Sequence, residues 1–109
     1  MQIVEAAGRY EAPDPSIGSR YVEQLRVPDL SVGTLSIAAG AVDDQTPHTE
    51  DEIYVVTAGS ATFRAETGER AVGPGDVIYV PAGEDHRFVD VTANLAVLVF
   101  FAPAYRARG

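Results

Sequence analysis

Both histidines of the chain stand close to carboxylates or tight turns: His48 in Thr46-Pro47-His48-Thr49-Glu50-Asp51-Glu52, and His86 in Pro81-Ala82-Gly83-Glu84-Asp85-His86. Imidazole and carboxylate donors together suit a divalent first-row transition metal. An incomplete set of protein ligands leaves coordination positions open for water, oxygen or a substrate. A metal site acting on a small molecule is therefore the leading expectation. The plainer alternatives are hydrogen-bonded histidines without a metal, and a Glu52 that is simply one solvated charge in the acidic run Glu50-Asp51-Glu52. Within that run, Glu50 and Asp51 are expected to be solvated.

Composition narrows what such a site can serve. With 109 residues the chain is expected to form one domain with room for a single site. Sixteen acidic residues oppose eight arginines, lysine is absent, and the formal charge is -8. A surface of that sign repels phosphate backbones and anionic lipid, so neither nucleic acid nor a membrane is an expected partner. Without cysteine there is no disulfide, thiolate ligand or thiol nucleophile, and without lysine there is no Schiff base. No run reaches the roughly 18 apolar residues of a membrane span, and Met1-Gln2-Ile3-Val4-Glu5 lacks the order of a signal peptide. A cytoplasmic location follows as the expectation.

The elements that must position these residues read as strands. Short runs rich in valine, isoleucine, tyrosine and phenylalanine are punctuated by glycine, proline or aspartate, which predicts strands at 21–27, 32–39, 52–58, 60–65, 69–72, 76–80, 86–91 and 94–101. That spacing suggests a sandwich or a closed barrel. Helix is expected only as a turn or two near Ala102–Tyr105. Residues 1–20, with Pro13, Pro15 and Gly18, read as an N-terminal arm or loop. The last run, Asn94–Phe101, is apolar on both alternating faces, as in a strand covered on two sides by a second sheet or a second subunit.

His48 and Glu52 have helical spacing, but Ile53-Tyr54-Val55-Val56-Thr57 loses rotamer freedom in a helix and packs well on a pleated sheet. Glu52 is thus expected to start a strand. In a straight strand His48 would lie about 13 Å from Glu52, at roughly 3.3 Å per residue. The backbone from Pro47 to Asp51 must bend back if the two share an ion. Alternation sets Glu52, Tyr54 and Val56 on one face and His86, Phe88 and Asp90 on one face of theirs. Tyr54, Phe63, Tyr79 and Phe88 are candidate walls of a substrate pocket, or ordinary core. Arg87 is expected to face away from it.

These two stretches resemble the paired motifs of the cupin superfamily. Gly40, Thr46, His48, Glu52 and Gly59 fall at the intervals of the first motif, and Gly75, Pro81, Gly83, His86 and Asp90 at those of the second. The departures are Thr46, where the family usually has a histidine, and Asp90, where it usually has asparagine. The resemblance spans about residues 30–102, roughly the core of the expected single domain. It implies an all-β double-stranded β-helix, a jelly-roll-like barrel, commonly paired as a homodimer. It also implies iron, manganese, nickel, copper or zinc held by His48, Glu52 and His86, with the fourth ligand in doubt at Thr46. Either the site keeps its metal on two histidines and a carboxylate, or it has lost it.

The resemblance implies first a metal-dependent enzyme, an oxidoreductase that carries out dioxygenase-like oxidation of a chelating organic substrate. Isomerisation or cyclisation of a sugar or polyketide comes next, and a metal-poor binding protein without catalysis is the other reading. Glu52 is the candidate catalytic base, with Glu50 as a substitute.

Overall fold

In a computed structural model, residues 1–43 and 47–107 are described. They form six strands and, among the described residues, no helix: β1 (Ser19–Val27), β2 (Leu30–Ile37), β3 (Asp51–Ala65), β4 (Gly68–Val72), β5 (Val77–Val80) and β6 (His86–Ala102). All pairings are antiparallel, in the order β1-β2-β6-β3-β4, with β5 on the free stretch of β3. The predicted helical turn near Ala102–Tyr105 is instead a bend and a turn that ends the chain's path along β6.

Two pairs of expected strands are single bent strands, β3 and β6. Gly59, read as a strand end, is the corner of β3. It adopts φ +87°, and a Cβ there would sit 2.2 Å from the Asn94 carbonyl oxygen. Only glycine allows the two backbones to approach so closely. Opposite it, the register runs from Thr62↔Val89 to Ser60↔Ala93, so β6 carries extra residues there. Asp90 sits in this bulge with φ +49°. Its side chain is exposed and does not share the inner face of His86 and Phe88, because the bulge shifts alternation on to Val91.

These corners fold the sheet over on itself. The inner face buries Leu35, Ile37, Tyr54, Val56, Phe63, Phe88, Leu95, Val97, Val99 and Phe101 in one core. The outer side of β2 is covered by the N-terminal arm: the Gly8 N–H donates to Thr34 Oγ1 (2.8 Å) and the Glu11 N–H to Ser36 Oγ (3.1 Å). Gly8 also lies against Leu98, so part of the second apolar face of β6 is covered by the chain's own arm.

Candidate metal centre

Glu52 is the first inward residue of β3, paired with Val80 on one side and Phe101 on the other. It is 2% exposed, and neither carboxylate oxygen accepts a hydrogen bond among the described residues. A buried carboxylate that accepts no hydrogen bond is expensive unless a positive charge meets it.

His86 opens β6 and is equally buried. Its Nδ1 lies 2.8 Å from the Glu84 carbonyl oxygen, an acceptor only, so Nδ1 carries the proton and the Nε2 lone pair faces inward. Nε2 is 3.0 Å from the Tyr54 hydroxyl and 3.0 Å from Glu52 Oε1. The contact with Glu52 becomes a buried ion pair when the ring is protonated. Burial pulls the His86 imidazole down, and the Glu52 carboxylate, the Glu84 carbonyl and the charge of Asp43 more than reverse this, leaving it above the ordinary histidine value.

His48 comes from the segment before β3, and the chain bends between them, as sharing an ion requires. The bend is held by backbone groups: the Gly83 N–H donates to the His48 carbonyl (2.7 Å), and the Ala82 N–H to Asp51 Oδ1 (2.9 Å). His48 Nε2 thereby lies 4.0 Å from Glu52 Oε1, with its ring against the edges of Phe101 and Tyr105. Burial lowers its basicity more than the Glu52 charge restores it. The ligand atoms of His48, Glu52 and His86 all lie within 4.8 Å of one another. Two imidazole nitrogens and a carboxylate with unsatisfied oxygens fit a transition-metal ion, and these three residues would hold it. Thr46 and Gln45 lie outside the described residues.

A cavity of about 310 Å³ opens beside the cluster, lined by His48, Glu52 and Tyr54 together with Ser19, Tyr21, Leu35, Asp43, Val99, Phe101 and Tyr105. Of the four aromatic candidates only Tyr54 is among these residues. Phe63 stacks on His86 from behind (6.0 Å between centroids, 30°), and Phe88 packs on Tyr54 and Phe63 in the core. Tyr79 pairs with Ile53, on the outer face of β3, and is 61% exposed beside a separate cavity. Glu50 is not solvated: it is buried, and its Oε2 accepts the Thr49 hydroxyl (2.8 Å) and the Arg106 N–H (3.1 Å).

Sequence reasoning missed several cavity residues. Tyr21 and Phe101 sit on strands whose inward parity could be set only by pairing. Gly33 leaves room for the Tyr21 ring, since a Cβ there would meet the hydroxyl oxygen at 2.3 Å. Burial, aided by the charges of Glu23 and Glu52, holds the Tyr21 phenol well above its ordinary value. Asp43 and Tyr105 lie outside the strands and carried no periodic signal.

Residues 33–101 match the cupin domain family. The chain belongs to that family. An uncharacterized protein of Streptomyces coelicolor, SCO3923, is 39% identical over 93 residues, covering 85% of this chain and 89% of that protein. Among solved cupins, KdgF from Halomonas sp. superposes with TM-score 0.74 at 25% identity, over 86% of this chain and 88% of its own. An RmlC-like cupin from Shewanella frigidimarina gives 0.79 at 17% identity, over 100% and 97%. The second likeness shows the cupin barrel alone.

Proposed function

We propose that this cupin is a metal-dependent enzyme that oxidises a small chelating organic substrate in a dioxygenase-like reaction. The observation that carries this reading is the buried Glu52 carboxylate, whose oxygens accept no hydrogen bond among the described residues, set beside two imidazole nitrogens. His48, Glu52 and His86 would hold a divalent ion, which would supply Lewis acidity toward a chelating ligand. The chain does the rest. Tyr54, whose hydroxyl lies beside His86 Nε2, donates a hydrogen bond to the bound ligand, and Glu52, when released from the ion, accepts the proton of a chelating hydroxyl. Phe101 and Tyr105 exclude water, and Tyr21 completes the wall around the ligand.

Two further expectations remain within the proposal. A homodimer finds an apolar face on the outer side of β3 and β5, where Ile53, Val77 and Tyr79 are 40%, 65% and 61% exposed. A cytoplasmic location is retained from the sequence; no helix of the described residues is long and apolar enough to cross a membrane.

Thr46 favours the second reading, a metal-poor binding protein, and one experiment separates the two. Metal content is measured on protein purified without added ions and after reconstitution with iron, manganese, nickel, copper or zinc. A stoichiometric ion that disappears in His48→Ala and His86→Ala supports the enzyme, and oxygen uptake with catechols, diketones and flavonoids then tests the reaction. Protein that stays metal-free after reconstitution overturns it.

A further inference from the structure

The cavity beside the cluster has an unusual balance of charge. Two of its walls are carboxylates, Glu52 and Asp43, each 2% exposed, and among the described residues no arginine lines it. Of the residues outside the described ones, Asp44, Gln45 and Thr46 carry no positive charge and Arg108 carries one. Arg106 is exposed, its guanidinium 5.0 Å from the Tyr105 ring centroid, and is not a wall residue. Asp43 is held in place, with Oδ2 accepting the Phe88 N–H at 2.8 Å. It is not one of the three clustered ligands.

We propose that Asp43 is a specificity residue that makes the cavity reject anionic ligands, so that its substrate is a neutral chelating molecule. The inference rests on the metal-centre reading and adds the substrate's charge to it. A divalent ion is balanced by Glu52 and Asp43, so an anionic group on the ligand body enters without compensation. In a partly desolvated pocket a like charge within a few ångströms is poorly screened, enough for about tenfold or more in affinity. The apolar walls Leu35, Val99 and Phe101 offer such a group no hydrogen bond in place of water.

The test uses the zinc-loaded protein, because zinc cannot oxidise the probes. Calorimetric titration compares 4-methylcatechol with catechol 4-sulfonate, which share one chelating pair and differ in a sulfonate that is a poor metal ligand. The neutral probe should bind at least about tenfold more tightly, and Asp43→Asn should narrow that gap by about fivefold through tighter binding of the sulfonate. Equal or tighter binding of the sulfonate to the unaltered protein overturns the proposal without any variant. Failure of both probes to bind zinc-loaded protein overturns it too, as does a gap unchanged in Asp43→Asn. Loss of zinc in Asp43→Asn would make Asp43 a ligand and likewise overturn its role. Failure of the unaltered protein to take up zinc or any other ion overturns the metal-centre reading, and the inference falls with it.

Discussion

The Nδ1 of His86 lies 2.8 Å from the carbonyl oxygen of Glu84, so the ring's tautomer is fixed from within its own chain segment. The proton sits on the outer nitrogen, and the inner nitrogen faces Glu52 Oε1 at 3.0 Å. A lone pair facing a carboxylate at that distance is repulsive unless a proton or a metal ion lies between them.

The first prediction follows from that choice. In metal-free protein His86 titrates above the ordinary histidine value and His48 below it. With only two histidines, proton NMR of the ring C–H signals assigns both by single substitutions. Protonated His86 contributes stability that is full below the unfolded-state pKa and is lost as pH rises through its higher folded value. Neutral His48 contributes stability that is present above the unfolded-state pKa and is lost as pH falls through its lower folded value. Glu52→Gln should bring the His86 titration down; an unmoved midpoint would refute the Glu52 coupling.

Metal should stabilise the fold through the same carboxylate. At an ion concentration about a hundred times the dissociation constant, linkage predicts roughly 2.7 kcal/mol. For a domain of this size that raises Tm by roughly 10 °C or more, taking about 4–8 °C per kcal/mol. In Glu52→Gln the increment should vanish. Differential scanning fluorimetry with and without the ion, after chelator treatment, measures it.

Gly59→Ala should cost more than about 2 kcal/mol, since it combines a left-handed φ with a backbone clash at Asn94. Gly75→Ala is the control. Its φ is +93° and a Cβ would meet nothing within 4 Å, so it should cost only about 1–2 kcal/mol. Urea unfolding midpoints compare the two.

Tyr79→Asp tests the outer face of β5. If two copies pair there, the variant should run as a monomer in light scattering while metal content stays as in the unaltered protein. A dimer that persists in Tyr79→Asp and in Ile53→Asp would place the interface elsewhere.

Much of this arrangement was legible because alternation is a local rule. Glu52, Tyr54 and Val56 share a face by alternation alone, and the β-branched run after Glu52 excluded a helix. What escaped was whatever depends on pairing between distant segments. Tyr79 faces outward because its partner is Ile53, and only the register of β5 on β3 reveals it. Gly59 looks like a stop in one dimension and proves to be a corner once Asn94 lies across from it. Glu50 resembled a solvated charge until Arg106, far along the chain, supplied an N–H to bury it against. The inward bend at His48 was required by distance, but the groups that hold it, Gly83 and Ala82, belong to the other motif.

Main-chain atoms supply most of that joint among the described residues: the His48 carbonyl and the amides of Ala82 and Gly83, joined by the Asp51 carboxylate. The clasp between the two motifs therefore depends on the course of the peptide from His48 to Asp51 and on the turn at Pro81–Gly83, so whatever reshapes that turn also moves the imidazole.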